Sequence, residues 1–345
     1  MENLPTDTFQ IVQLTSYDVQ RASDNMKIFS SLIGAHDDMY PGIDVWLRKK
    51  VLPGIKDGER VAYIGFENGR PLVSCVLKKG EVAKFCHLHI ADGFQNVHLG
   101  EVFFTKMALD IRNVAREVYF TLPESLWQAK HSFFSSFGFE NAHKADVQYR
   151  LFDEELQCSA PFQLVWEKAL DKLPKLVSWF SNSVLLSIQP QHASRIMSGE
   201  KSVEIRTRFS RRWKGSRAAI YSTSPTKAIV GHARIADVVE GDPDAIWSTF
   251  NVAVGCSKDE FASYTGAAKR VFAIVLDDVQ AYEGGMGVPI SQIQYLLSKD
   301  LVAPQSYFSL SNNTVWTEGL TIAELLHGKF RSVRDVDEQA SALCL

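Results

Sequence analysis

The chain has no apolar run approaching the roughly 18 residues that a membrane-crossing helix requires, so no membrane span is expected. It also has no C-x-x-C pair; Cys75, Cys86, Cys158, Cys256 and Cys344 are scattered. That argues against both a disulfide frame and a structural zinc site, and it fits a reducing cytosol. Met1-Glu2-Asn3-Leu4-Pro5-Thr6-Asp7 carries neither the basic segment nor the apolar core of a secretory signal. No internal repeat or low-complexity stretch is visible. With 345 residues, 46% of them hydrophobic and 22% charged, the expectation is a soluble cytoplasmic protein of two or three globular domains.

One absence is local. From Arg206 to Ala236 there is no carboxylate, while Arg206, Arg208, Arg211, Arg212, Lys214, Arg217, Lys227 and Arg234 supply eight positive charges. The whole chain is formally −3, which leaves −11 for the remainder. Charge sorted by position in this way predicts an anionic partner. Just upstream, Gln189 to Ser198 reads as a short helix with Pro190 at its start and Gly199 as its stop. Val203 and Ile205 then alternate with Ser202, Glu204 and Arg206. A half-buried strand would place the aliphatics in a core and the polar residues over a pocket.

These residues carry a family resemblance. Leu185-Leu186-Ser187-Ile188-Gln189-Pro190, Ser198-Gly199-Glu200-Lys201-Ser202-Val203-Glu204-Ile205-Arg206 and Tyr221-Ser222-Thr223-Ser224-Pro225 resemble an ASCH domain of the PUA-like superfamily. Lys227-Ala228-Ile229-Val230-Gly231 and Ala303-Pro304-Gln305-Ser306-Tyr307 agree with it. The resemblance implies a small β-barrel with helices that binds RNA or a modified nucleotide.

In the first half, Phe9–Leu14 reads as a strand, Asp18–Ile33 as a helix, and Asp44–Leu52 as a second helix with Asp44 as N-cap and Pro53-Gly54 as its stop. Val61–Phe66 and Pro71–Leu77 flank Asn68-Gly69, a strong hairpin signal. A strand over Val82–Ile90, an amphipathic helix over Gly100–Arg116, a strand over Glu117–Leu122, a helix over Glu124–Ser136 and a closing strand over Val147–Phe152 complete a mixed α+β order.

The informative junction is Ala91–Gly100, a strand running through a loop into a helix N-terminus, where free N–H groups and the helix dipole suit a pyrophosphate. Asp92 to Gly100 resembles the acyl-CoA loop of the GNAT N-acetyltransferase family, with Gln95 and Gly100 at matching positions. Phe133 to Glu140 resembles that family's later helix-to-strand corner. The resemblance implies a mixed sheet with flanking helices, acetyl-CoA or another acyl-CoA as cofactor, and Gln95, Asn96, Val97, His98, Leu99 and Gly100 around its phosphates. Three residues depart from the pattern: His98 replaces the first glycine, Glu101 opens the helix, and Phe134 stands where many members place a tyrosine acid. The base for direct amine attack is expected from His89 or His87, on one strand face with Phe85, while Cys86, Leu88 and Ile90 take the other. The plain alternative for each histidine is a surface or satisfied core residue.

The expected division is a GNAT-like domain over 1–152, a docked helical connector over 153–183 interrupted at Pro174, the ASCH-like domain over 184–311 and an extension over 312–345 whose end is mobile. Within the second half, Ala218–Ser222, Ala228–Val239 and Arg270–Leu276 read as strands. Helices follow Asp242 and Ser257, and others span Ser291–Lys299 and Thr321–His327. For RNA or nucleotide the candidates are Lys201, Glu204, Arg206, Arg208, Arg211, Arg212, Trp213, Ser222, Ser224, Lys227 and Ser306. The cations meet phosphate, serines and Glu204 read a base edge or 2′-OH, and Phe209, Trp213 and Tyr221 stack on a base. The alternative for Glu204 is a structural ion pair with Lys201 or Arg206.

Three functions follow. The first is an N-acyltransferase coupled to an RNA- or nucleotide-binding domain. The second is a non-catalytic RNA-binding regulator with a degenerate GNAT domain. The third is an amidohydrolase of acetylated nucleosides, which resembles a branch that uses a Lys-x-x-Thr pair and a glutamate. Lys201 and Glu260 fit that branch, but Glu204 stands where its threonine is expected.

Overall fold

The computed structural model describes residues 8–35, 40–92, 94, 99–149, 153–176, 182–282, 287–303, 305–311, 313–327 and 329–331. They gather into two compact units that do not follow the chain linearly: 1–177 with 328–345, and 178–327.

The first unit begins with β1 (Thr8–Gln13), α1 (Ser16–Arg21), α2 (Asp24–Gly34), α3 (Ile43–Trp46), a π-helical turn (Leu47–Val51) and α4 (Leu52–Lys56). It continues with β2 (Arg60–Glu67), β3 (Arg70–Lys78), β4 (Val82–Ile90), α5 (Leu99–Ile111), β5 (Glu117–Pro123), α6 (Glu124–Ser135), β6 (Ala142–Lys144), β7 (Glu155–Pro161) and α7 (Phe162–Leu176). Where one helix was expected over 18–33 there are two. Thr15 makes a capping box with Asp18, and the Ser23 hydroxyl accepts from the Met26 N–H to start a second helix. The next helix opens after Gly42 with no side-chain cap. It passes through Pro53, which sits in the first turn of α4 where its missing N–H is tolerated.

The hairpin turns on Asn68 and Gly69, both left-handed at φ +50° and +79°, as its type requires. The closing strand expected over 147–152 is not formed at 147–149, and 150–152 lie outside the described residues. Its place is taken by β7, which pairs with β5 from Glu117↔Pro161 to Pro123↔Glu155. Residues 155–161 therefore belong to the first sheet and not to a helical connector. The acidic run 153–155 hid the strand, because Glu155 reads as solvated yet is buried.

The second unit contains β8 (Ser183–Ile188), α8 (Pro190–Met197), β9 (Val203–Arg206), a 3₁₀ turn (Arg211–Trp213), β10 (Arg217–Ser222), β11 (Ala228–Gly241), α9 (Pro243–Phe250) and α10 (Lys258–Thr265). After these come β12 (Val271–Ala281), β13 (Val288–Pro289), α11 (Ile290–Leu297), β14 (Tyr307–Ser309) and α12 (Thr314–His327). Caps at Asp242 and Ser257 start α9 and α10 as expected. The α12 helix starts earlier than expected, with Asn313 Oδ1 accepting from the Trp316 N–H at 3.2 Å. Strand β15 (Lys329–Arg331) returns to the first sheet, whose order is β15-β1-β2-β3-β4-β5-β7-β6.

The second sheet runs β14-β8-β10-β11-β12-β9, with β13 on β11, and curls into a half-barrel. At Gly231, φ is +151° and an added Cβ would stand 2.2 Å from the Gln280 carbonyl oxygen of β12, so only glycine fits. The α12 helix is fastened to this sheet by a buried polar chain. Tyr282 Oη donates to Glu324 Oε1 at 2.8 Å, and His232 Nε2 lies 3.7 Å from the same oxygen. His232 Nδ1 accepts from Arg217 Nη2 at 2.7 Å, and Arg217 Nη1 reaches Asp278 at 3.1 Å.

Candidate functional site

Strand β9 is buried on both faces, so it is not the half-exposed strand expected. Val203 and Ile205 enter a core with Ile246, Val254, Phe261 and Val271. Glu204 lies between two cations: Lys201 Nζ is 3.4 Å from Oε2, and Arg206 Nη2 is 3.0 Å from Oε1. The three side chains are only 3%, 9% and 9% exposed. Lys201 also donates to the Val254 carbonyl at 2.7 Å. Arg206 donates to the Ser187 carbonyl at 2.7 Å and reaches Ser306 Oγ at 3.4 Å. Since β9 and β8 lie near opposite ends of the sheet order, these bonds span the opening of the curl.

The cluster holds two cations and one carboxylate away from water. Such a group is costly unless further partners complete it. Arg206 Nε is buried with no partner among the described residues. His192, half-buried on α8, is held below the usual histidine range by burial, and Lys201 acts in the same direction. Its Nδ1 also lacks a hydrogen-bond partner among the described residues. Sequence reasoning missed His192, although it lies in the helix that was read just ahead of Gly199.

The basic run is less exposed and less unopposed than its sequence implied. Arg206 pairs with Glu204, Arg211 with Glu240 at 3.4 Å, Lys214 with Asp237 at 2.9 Å, Arg217 with Asp278, and Arg234 with Asp277. Antiparallel pairing of β11 with β12 sets Asp277 across from Arg234, and Asp278 beside it reaches Arg217 of β10. Arg208, Arg212 and Lys227 remain as exposed cations. The stacking role also needs correction, because Phe209, Trp213 and Tyr221 are 8%, 5% and 5% exposed and pack inward. Trp213 lies under the Arg212 guanidinium, 4.4 Å from its ring centre. Ser222 is buried at the end of β10, whereas Ser224 is exposed in the following turn. Lys201, Glu204, Arg206 and Ser306 thus converge. The described contacts do not bring Ser222, Ser224 or Lys227 to them.

In the first unit, β4 and β5 pair in parallel only from Val82↔Glu117 to Lys84↔Tyr119. Beyond that register β4 continues to Ile90 and β5 to Pro123 without a shared ladder. Leu99 is buried in the first turn of that helix, and an added Cβ on Gly100 would meet Phe133 at 3.3 Å and Ile90 at 3.6 Å. Gln95, Asn96, Val97 and His98 lie outside the described residues. Glu101, which opens the helix where a diphosphate would compete with it for the dipole, is paired with Lys172 of α7 at 3.3 Å. Phe134 packs on Phe120 and stacks on Trp127.

The histidine face differs from expectation. Val76 pairs with His87 and Leu77 with Phe85, so Cys86 is an extra residue that switches the alternation. Phe85 therefore packs on Phe104 of α5, while His87 turns the other way, 6.4 Å from Trp46 of α3. His87 Nε2 is 2.9 Å from Ser74 Oγ. Cys86 packs with the α1–α4 core, not opposite the histidines.

Among known proteins, residues 181–292 match the family model described as a domain of unknown function, DUF365. An ASCH domain-containing ribonuclease from Zymomonas mobilis is 31% identical over 96 residues, which is 28% of this chain. The chain spans 65% of that protein's length. A crystal structure of ASCH from Zymomonas mobilis is 26% identical with a TM-score of 0.36, covering 40% of this chain and 93% of its own. An acetyltransferase from Thermus thermophilus is 18% identical with a TM-score of 0.34, covering 46% and 99%. The fold is mixed α+β with two sheets, and what it is similar to is an ASCH-like protein and acetyltransferases of the GNAT type.

Proposed function

We propose that this protein is an acyl-CoA-dependent N-acyltransferase whose second unit holds RNA or a modified nucleotide. The parting of β4 from β5 beside the N-terminus of α5 carries the acyl-CoA half of the reading. In it, N–H groups from Gln95 to Gly100 meet the pyrophosphate of acetyl-CoA, and strand backbone beyond the β4–β5 register polarises the thioester carbonyl. An amine attacks that carbonyl directly, and the coenzyme thiolate leaves. His89, the β4 histidine nearer the loop that precedes α5, takes the amine proton. Phe134 offers no proton to the thiolate, so solvent supplies it. The Glu101–Lys172 pair removes the charge conflict at the helix start.

The RNA half rests on the buried Lys201–Glu204–Arg206 cluster with its excess positive charge, and on Arg208 and Arg212 outside it. Calorimetric titration with acetyl-CoA tests the first half. Saturable binding, lost in Gly100→Trp, is expected, and no binding at millimolar acetyl-CoA would overturn it. Single-stranded RNA binding that weakens steeply with salt tests the second.

The name of the Zymomonas mobilis relative makes RNA cleavage a second reading. His192, held toward its neutral form near Lys201 and Glu204, favours it, since a neutral imidazole can take a 2′-OH proton. Cleavage of labelled RNA by wild type but not by His192→Ala would support that reading, and intact RNA would remove it.

A further inference from the structure

We propose that the first unit selects an acyl acceptor that carries an anionic group besides its amine, and that Arg60, Lys78 and Lys84 hold that anion. This rests on the acyltransferase reading above and names the substrate class of the same site. Strand pairing sets Arg60 of β2 opposite Lys78 of β3, and Lys78 opposite Lys84 of β4. Side chains paired across a sheet share a face, so three cations stand in one row over three adjacent strands. Tyr119 of β5 continues the row, at the last register that β5 shares with β4.

Like charges directly opposite one another destabilise a sheet, and an anion removes that cost. Among the described residues none of the three cations is paired with a carboxylate. Lys84 is half-buried, with Nζ 5.3 Å from the Tyr119 ring centre and 5.7 Å from that of Tyr149, whose ring is 45% exposed. Arg60 donates to Cys86 Sγ at 3.0 Å and lies against Gly54, where an added Cβ would stand 2.7 Å from its Cδ. These contacts hold two of the three cations in place.

The Cys86 bulge joins this row to the base. Lys78, Val76 and Ser74 alternate along one face of β3, and they pair with Lys84, His87 and His89. Without the extra residue, Lys84 would share its face with Cys86 and Leu88, and both histidines would lie on the other. With it, the anion row and His89 share a face, about 13 Å apart along the strand at about 3.3 Å per residue. An extended lysine side chain and a small acceptor together cover that span. The acceptor ammonium gives one proton to His89. The C–N bond then forms as the thioester C–S bond breaks, and the second amine proton leaves to solvent, which protonates the thiolate.

The test uses the full chain with acetyl-CoA and follows release of the coenzyme thiol. The acceptors are amino acids and phosphoethanolamine, each set against a counterpart without the anion, the amino acid amides and ethanolamine. Transfer to the anionic members is expected, and the better of the two kinds tells carboxylate from phosphate. Lys84→Met is expected to raise the acceptor KM roughly 10- to 100-fold, as for one lost charged hydrogen bond, with kcat and acetyl-CoA affinity held. Lys84→Arg, which keeps the charge, is expected to recover most of that loss. If the amides and ethanolamine react as well as their counterparts, or if no probe is acylated although acetyl-CoA binds, the anion row is refuted while acyl-CoA binding stands. If acetyl-CoA does not bind, the acyltransferase reading falls and takes the row with it. An unchanged acceptor KM in Lys84→Met also overturns the proposal, and a lowered salt slope of RNA binding in that variant would assign the row to a polynucleotide instead.

Discussion

Replacing Glu324 with glutamine should abolish a pH dependence of stability that the wild type carries. Burial is the largest influence on this carboxyl and pushes it up to about 8 from 4.5, against the pull of the Tyr282 hydroxyl and Arg217. Between those two values the folded chain keeps a proton on Glu324 that the unfolded chain has released. Stability therefore falls as pH rises through this window, by about 1.4 kcal/mol per pH unit. From pH 5 to pH 7 the loss amounts to about 2.7 kcal/mol.

Glutamine keeps the acceptor for Tyr282 and cannot ionise, so the Glu324→Gln variant gains that amount relative to wild type over the same interval. His192 works in the opposite sense. Its folded value is depressed, so its contribution grows as pH rises toward its unfolded value, and it cancels in the comparison. The assay is urea unfolding at several pH values, read peptide by peptide through hydrogen exchange so that the second unit is scored separately. A variant-minus-wild-type difference that stays flat from pH 5 to 8 would refute the proton held by Glu324.

Other perturbations have defined outcomes. Gly231→Ala forces a methyl against the Gln280 carbonyl and should cost about 3 kcal/mol, seen as a lowered midpoint in thermal denaturation. Glu204→Ala leaves Lys201 and Arg206 as two buried cations and should cost about 3–5 kcal/mol in urea melts; a neutral result would mean that the cluster is hydrated. Arg208→Ala and Arg212→Ala should each lower the salt slope of RNA binding by about 0.7, whereas Arg211→Ala, already paired with Glu240, should change it less. Equal slopes in all three variants would contradict the division between paired and exposed cations.

Much of the fold was legible because its signals are local. The Asn68-Gly69 turn, the capping box at Ser257 and the β4 limits follow from short-range chemistry and appear as read. What failed was non-local. The Cys86 bulge depends on a partner strand and reversed the expected faces of Phe85 and His87. The run from Arg206 to Arg234 looked unopposed because its counter-charges come from later in the chain, at Glu240, Asp277 and Asp278 on β11 and β12. The β9 site was partly legible: Lys201, Glu204, Arg206 and Ser306 do meet, but His192, on the helix read just before Gly199, was not singled out.

The pairing of β15 with β1, through Thr8↔Arg331, Phe9↔Phe330 and Gln10↔Lys329, has a practical consequence. In sequence the ASCH-like unit is an insertion within the other unit, which resumes at residue 328. A fragment ending at residue 177 would strip the cover from β1 and leave a bare strand edge, an invitation to aggregate. Dissecting the protein therefore calls for excising 178–327 and joining the flanking segments through a linker, not for cutting the chain once.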